Sequence, residues 1–523
     1  MSHPTIAKTS KGSAVVIGAG VGGLAVAARL AAAGWSVDVF EQASTVGGKL
    51  GLYERDGFRF DTGPSIVTMP HVFEDLFAAT GAPLSLVLQL RKLDPIARYR
   101  FGDGTWLDAP SDDASFVAAA ESMRAGNGQQ LQRFLDRSRA IWDATHETFL
   151  ESALRPLDLV LQSRRLNDLR TIAPWKSMRT LTSSMLDDSR LVSFVDRYAT
   201  YTGSDPRKAP AALASITHAE RGFGGWYIEG GLRLLGSALV ERCESLGVSI
   251  HVDSSVGAIT VTRDGAANGV VVGGERRSAD IVVANTDAQH LYSALLPSSP
   301  RVRRAQRRLR RSQPSLSGFV MCLAVDRTTP ADYAGELVEL AHHTVLFPEN
   351  YDQEFDDLFG THPKLVRDPT IYISAPSDPA VAPAGSEAWF VLVNGPRHMP
   401  GEPTAGIDWQ VPGLADSYAD RLLDLMAERG IDVRRHVRWR ELRTPADLAA
   451  RTRSVGGSIY GTSSNGARSA FLRPANRSPI RGLYLVGGSS HPGGGLPLVT
   501  LSAQIVAALV ETDFSSPRVE MGE

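Results

Sequence analysis

Residues 13–41, SAVVIGAGVGGLAVAARLAAAGWSVDVFE, constrain this chain more than any other stretch. An apolar run, Ala14 to Ile17, enters Gly18-Ala19-Gly20-Val21-Gly22-Gly23. An Ala-rich segment follows, and a second run, Ser36 to Phe40, ends on Glu41. Strand, glycine turn, helix and strand in that order predict a βαβ nucleotide-binding unit. Gly18 permits the tight turn, Gly20 lets the backbone approach a pyrophosphate, and Gly23 lets the helix pack close to the strand; Gly22 is a further candidate contact. The pyrophosphate would sit on the free N–H groups at the helix start. Glu41, 18 residues past Gly23, stands where an acid accepts hydrogen bonds from a ribose diol. Its charge disfavours a 2′-phosphate, and so disfavours NADP. Lys8 and Lys11 ahead of an apolar run also fit the start of a secretory signal, but Arg29 and the glycines interrupt the apolar core that a signal needs.

The rest of the chain leaves room for more than this unit. At 523 residues it can bury core for two or three domains, and a formal charge of −2 gives no general attraction to nucleic acid. Cys243 and Cys322 are far apart and form no CxxC pair, so neither a disulfide framework nor a zinc site is expected, and a reducing cytoplasm fits. No run of 18 or more apolar residues escapes a charge or a helix breaker, so membrane contact should be peripheral. Residues 1–11 and 512–523 read as flexible termini.

Two more glycine turns follow Glu41. Val46-Gly47-Gly48-Lys49 and Gly57-Phe58-Arg59-Phe60-Asp61-Thr62-Gly63-Pro64-Ser65 are joined by a short alternating strand, Leu50 to Tyr53, and can wrap backbone donors around a long cofactor. At the other end, an apolar strand runs into LYLVGGSSHPGGGLPLV, residues 483–499, and an Ala-rich helix begins near Thr500. This repeats the phosphate logic of the N-terminus. Between them lies GGWYIEGGLRLLGSALVERCESLGVSIHVDSSVGAI, with a helix expected over Leu232 to Leu246 and a strand over Ser249 to Val252.

Together these motifs resemble the carotenoid desaturase family, in particular the bacterial-type phytoene desaturases, within the FAD-dependent amine oxidase superfamily. The resemblance covers nearly the whole chain and is strongest at residues 13–70, 224–290 and 470–510. It implies an α/β fold: a Rossmann-like FAD-binding domain with an inserted α+β substrate domain. The FAD domain would be assembled from residues 12–105, 235–300 and 450–515. The substrate and membrane-association domain would comprise 106–234 and 301–449. In the family the GGR arginine approaches the FAD phosphates and the GPT turn approaches the flavin ring. Here Gly48, Lys49, Gly63, Pro64 and Ser65 match, with lysine in place of arginine and serine in place of threonine. A point charge thus replaces a bidentate fork. Val256 matches the adenine position. Gly487 and Gly488 match the pyrophosphate or ribityl position, and Leu496 and Pro497 the backbone facing the flavin pyrimidine. His342-His343…Leu346-Phe347…Tyr351…Glu354-Phe355 resembles a recurrent family segment whose role is not deducible from sequence.

What the resemblance implies in chemistry is desaturation of a linear carotenoid, with hydride passing to flavin N5 and the cofactor reoxidised by quinone or oxygen. Saturation, hydroxycarotenoid desaturation and oxygenation belong to the same family, and an amine oxidase or an escort protein like the Rab GDP-dissociation inhibitors shares the fold. No Ser-His-Asp set, paired acids or metal cluster is recognisable, and no catalytic residue can be named. His491 either braces its turn or is catalytic. Adjacent His342 and His343 point in different directions and make a poor metal pair.

The residues between Met69 and Thr200 read as mostly helical. Within them Arg155, Arg164, Arg165, Arg170, Lys176 and Arg179 interleave with Leu and Trp, which suits a helix at an anionic lipid surface or a solvated helix with snorkelling arginines. Arg301 to Arg311 holds seven arginines, either plain surface or a phosphate-facing patch. Strands are expected at Ser317–Ala324, Thr370–Ala375 and Trp389–Asn394, and a helix near Tyr418–Arg429.

Overall fold

The βαβ unit forms where the glycine pattern puts it: strand Ser13–Ile17, helix Val21–Ala32 and strand Ser36–Phe40. The computed structural model describes residues 10–153, 170–330, 332, 335–466 and 473–515. Five parallel strands make the central sheet, in the order Leu483–Leu485, Ile281–Ala284, Ser13–Ile17, Ser36–Phe40, Ser249–His251. The chain therefore returns to this sheet from three distant stretches. Every residue of Ile281–Ala284 is buried, as befits a parallel strand covered on both faces.

On one face, helix Val21–Ala32 packs against helices Arg233–Ser245 and Leu496–Ser515. Its small residues allow the approach: Ala25, Ala27 and Ala28 are wholly buried. The other face carries an antiparallel sheet of Val256–Val261, Ala267–Val272 and Glu275–Ser278. Leu496–Ser515 is long and apolar enough to cross a membrane on length and composition, but 61% of its apolar stretch is buried within the protein. It is a core helix here.

A second sheet has seven strands, in the order Val437–Arg443, Ser317–Asp326, Ser386–Gly395, Ile371–Ser374, His343–Leu346, Ala97–Arg100, Trp106–Ala109. The strands expected between 317 and 394 all form, two of them longer than expected. The expectation of helix from Met69 to Thr200 needs correcting, because Leu90–Lys92, Ala97–Arg100 and Trp106–Ala109 are strands. Ala97-Arg98-Tyr99-Arg100 alternates buried with half-buried residues, the period of a sheet with one covered face. Ala97–Arg100 and Trp106–Ala109 join the seven-stranded sheet, so a boundary at 105 falls between two of its strands, whereas Leu90–Lys92 pairs with Trp226–Ile228 in a separate sheet of two. The helices come later, at Asp113–Met123 and Asn127–Thr145.

Of the two segments read as flexible termini, residues 1–9 and 516–523 lie outside the described residues. Lys11 pairs with Glu511 at 2.6 Å, Arg477 pairs with Asp513, and the last helix runs to Ser515. Much of the basic stretch between Arg155 and Arg179 lies outside the described residues. Of the part described, Arg179 is committed to ion pairs with Asp196 and Asp352.

Candidate active site

Three glycine turns meet above the carboxyl ends of the parallel strands, the position at which open α/β sheets take their ligands. Gly18 has φ +93°, and a Cβ on it would lie 2.8 Å from the Asn285 carbonyl oxygen. Gly23 packs helix to strand: its Cβ would stand 2.1 Å from the Gly18 carbonyl oxygen. A Cβ on Gly48 would come within 3.2 Å of Gly20 Cα, and one on Gly22 within 3.2 Å of Gly487 Cα. The first, second and last glycine motifs thus form one seam too tight for side chains. Asn285 ties it together, its Nδ2 donating to the Gly18 carbonyl at 3.2 Å and its Oδ1 set against Gly22 and Gly487. Sequence reading passed over Asn285, although it directly follows a buried strand and so sits where that strand meets the ligand face.

Glu41 is 8% exposed, and its two oxygens accept from the backbone N–H groups of Ala19 (2.8 Å) and Ala43 (2.9 Å). Each oxygen keeps a lone pair for a further donor. Asp61, from the GFRFDTGPS stretch, accepts from the N–H groups of Leu232 (2.7 Å) and Arg233 (2.8 Å) at the start of helix Arg233–Ser245. It binds two of the resembling motifs to each other. Burial pushes its carboxyl up to about 6, against the pull of those two donors and of Arg59 and Arg233.

Lys49 donates to the carbonyl oxygens of Ser458 (3.1 Å) and Ile459 (2.5 Å). Burial pushes its ammonium down to about 8; Asp287 opposes this and Arg473 adds to it. Arg473 in turn donates to the carbonyls of Tyr460 (2.8 Å) and Gly488 (3.1 Å). Three more cationic side chains, Arg443, Arg451 and Arg453, line the cavity beside Glu41 and Gln42. No motif marked them.

These groups border a cavity of about 1000 Å³. Of the residues singled out from the sequence, Gly18, Gly20, Gly22, Glu41, Gly48, Lys49, Gly63, Pro64, Ser65, Val256, Gly488, Leu496 and Pro497 line it. Gly23 and Gly487 lie behind the lining, where they set the packing of the seam. Away from the glycines the lining turns apolar, with Ile66, Met69, Trp142, Leu213, Leu392 and Leu498 among its residues. His491 does not line it. Wholly buried, His491 meets the Ser152 carbonyl through Nε2 at 3.0 Å, its own carbonyl accepts from Asn476 and Ser502, and burial lowers its pKa to about 4. This is a brace. Among the described residues no cluster of three or more His, Cys, Asp or Glu could hold a metal.

The residues present fit a dinucleotide: a side-chain-free seam, cationic groups beside it, and an acid with lone pairs to spare. Fold and site together define a dinucleotide-binding α/β protein. A family model described as flavin containing amine oxidoreductase matches residues 21–362. The chain is 35% identical over 506 residues to a 4,4′-diapolycopene oxygenase from a Methylomonas species, covering 96% of this chain and 98% of the relative. It is 32% identical to a 1-hydroxycarotenoid 3,4-desaturase from Flavobacterium sp. (strain P99-3), covering 95% and 98%. Among solved structures, an oxidoreductase from Methanosarcina mazei superposes with a TM-score of 0.60 at 18% identity, covering 95% of this chain and all of that one. The chain belongs to the flavin amine oxidoreductase family, in its carotenoid desaturase-like branch. It is an FAD-dependent oxidoreductase.

Proposed function

We propose that the protein removes hydrogen from a long apolar carotenoid, extending its conjugation, with FAD as hydride acceptor. The observation that carries this reading is the single cavity of about 1000 Å³ that joins the glycine seam to an apolar lining. Bound FAD supplies hydride-accepting chemistry that side chains lack. The chain's own residues bind and orient. Gly18, Gly20, Gly22, Gly48 and Gly488 leave room for the diphosphate, Gly487 packs the seam behind them, and Gly23 holds the helix whose N–H groups face it. Glu41 accepts from the ribose, Lys49 brings charge, and Val256 borders the adenine. Gly63, Pro64, Ser65, Leu496 and Pro497 frame the flavin ring, and the apolar lining holds the polyene against it and excludes water.

The substrate would enter from a membrane surface, with the protein docked peripherally on its cytoplasmic side. Helix Pro300–Arg311 fits this, since all seven of its arginines are exposed while Val302 and Leu309 anchor it to the core. Quinone or oxygen would reoxidise the cofactor.

A second reading, oxygenation of the polyene end, is favoured by the name of the Methylomonas relative and by Arg197, Tyr201 and Asn394 in the cavity wall. Anaerobic mixing of FAD-loaded protein with liposomes carrying phytoene, or an already coloured carotenoid, tests both. Loss of flavin absorbance with a longer chromophore is the expected result. An oxygen-bearing product, formed only when air is admitted, favours oxygenation, and an unchanged flavin with every polyene rejects hydride transfer.

A further inference from the structure

Ser65 closes the Gly63-Pro64-Ser65 turn and lines the cavity where its glycine-rich part gives way to Ile66 and Met69. Its hydroxyl lies 2.5 Å from the Tyr372 hydroxyl, which lies 2.7 Å from Nδ1 of His343. The contact follows from strand register. Val345 is paired with Tyr372 and His343 with Ser374, so His343 and Tyr372 are diagonal neighbours on one face of the sheet. His343 is 2% exposed, and its Nε2 has no partner. A buried imidazole nitrogen left unpaired is costly and calls for an explanation.

The polar side chains continue outward. The His342 ring lies 4.5 Å from that of His343 and 4.5 Å from that of Tyr227, whose hydroxyl donates to Asp378 at 3.0 Å. Asp378 is half-exposed. Hydroxyl, hydroxyl, imidazole, imidazole, phenol and carboxylate therefore lead from the cavity wall to the half-exposed Asp378.

We propose that Ser65, Tyr372 and His343 form the path that takes up the proton released when a substrate C–C bond becomes C=C. This rests on the hydride-transfer reading above. One C–H bond of the substrate breaks with its electron pair leaving as hydride to FAD. The adjacent C–H bond breaks with its pair becoming the new π bond, and its proton passes to Ser65 Oγ. The Ser65 proton moves to the Tyr372 oxygen, and the Tyr372 proton moves to His343 Nδ1, which becomes imidazolium. Atoms and charge balance without another co-reactant.

The direction of the hydrogen bonds suits this. With Tyr372 donating to Nδ1 and Ser65 donating to Tyr372, Ser65 Oγ keeps its lone pairs for the cavity, and His343 is neutral with its proton on Nε2. Three influences hold it neutral: burial first, then His342 just ahead of its strand and Arg197 from the segment Arg197–Thr202. Glu220, on helix Ser215–Phe223, acts on Tyr372 together with Arg197. A weak base is enough, because the allylic cation left by hydride loss is a strong carbon acid.

Two measurements test the path. In the full chain without FAD, ¹⁵N-histidine NMR is expected to show His343 neutral, protonated on Nε2, with its Nδ1 signal shifting in Tyr372→Phe. A proton on Nδ1 would overturn the proposal. In anaerobic stopped flow, with the holoenzyme on vesicles carrying a polyene that bleaches the wild-type flavin, Tyr372→Phe and Ser65→Ala are expected to slow bleaching about 100-fold. Both should lose the solvent deuterium isotope effect yet retain FAD, and Ser65→Thr should restore rate and isotope effect together. Wild-type rates and isotope effects in both variants would remove the proton path and leave hydride transfer standing. A wild-type flavin that no polyene bleaches would remove both.

Discussion

Lys49 Nζ donates to the carbonyl oxygen of Ile459 at 2.5 Å, across 410 residues of sequence. The bond fastens the second glycine motif to the C-terminal segment and draws an ammonium group into the cavity wall. Because burial lowers that ammonium from the ordinary 10.5 to about 8, the folded chain gives up this proton earlier than the unfolded chain does. Below about pH 8 both states are protonated and the burial cost is present in full. Between about 8 and 10.5 the unfolded state binds more protons, so this group's contribution to stability rises with pH. Melting temperatures of FAD-free protein across that window should show a rise that Lys49→Met lacks. If Lys49 faces the diphosphate, FAD binding at pH 9 should also take up a proton, read by calorimetry in buffers of different ionisation enthalpy. Equal slopes and no uptake would place Lys49 in a purely structural role.

Glu41 has two tasks in the same carboxylate, since it satisfies the N–H groups of Ala19 and Ala43 and keeps lone pairs for a ribose. Glu41→Gln turns one oxygen into a donor facing another donor. That should cost about 2 kcal/mol in urea unfolding of the FAD-free protein, the usual loss for a buried group left unpaired. FAD affinity should fall about 10-fold, the size expected for one charge-assisted hydrogen bond. A variant that lost stability but bound FAD as tightly as before would move the ribose elsewhere.

The parts of the site that could be read in advance are those that local chemistry dictates. Glycines at 18, 20, 22, 23, 48, 487 and 488 announce themselves because no other residue tolerates such close backbone approach, and the resemblance told which distant motifs meet. Asn285 carries no motif signal, and Asp61, though part of the GFRFDTGPS stretch, shows no role there, because both hold one motif to another, which only the folded geometry reveals. Arg443, Arg451 and Arg453 carry no spacing signal at all. The strands at 90–109 were missed because each has only three or four residues, too few for a period-two pattern to stand out from neighbouring helices. His491 shows the opposite error. A histidine among glycines invites a catalytic reading, whereas its ring is spent on the Ser152 carbonyl.

The glycine seam should separate folding from cofactor binding. Gly23→Ala drives a Cβ to 2.1 Å from the Gly18 carbonyl oxygen, a clash between backbone elements that cannot be relieved by turning a side chain. About 3 kcal/mol of stability should be lost, equally with and without FAD, because Gly23 lies behind the lining. Gly20→Ala brings its Cβ within 2.9 Å of the Asn285 side-chain amide, which can rotate, and otherwise projects into the cavity wall. Its main effect should be weaker FAD binding with a small change in melting. Titration of both variants with FAD, followed by thermal unfolding, checks the difference. Equal behaviour of the two would mean that the seam is structural throughout.

Helix Pro300–Arg311 supplies the last prediction. Seven exposed arginines on twelve residues repel one another, and a chain of formal charge −2 gives no general reason to concentrate them on one helix. Anionic lipid would relieve that repulsion, and each arginine near such a surface contributes about 1 kcal/mol at physiological salt. Arg304→Gln with Arg307→Gln should therefore weaken partitioning onto phosphatidylserine vesicles about 30-fold. The solution melting temperature should not fall, since both side chains are exposed while Val302 and Leu309 keep the helix on the core. High salt should erase the difference, because exposed charges are screened over a Debye length of about 3 Å at 1 M. Sedimentation with vesicles of defined composition reads the effect directly. Equal binding of wild type and variant, or equal binding to anionic and zwitterionic vesicles, would take this helix out of the membrane contact and leave the entry of an apolar substrate to another face.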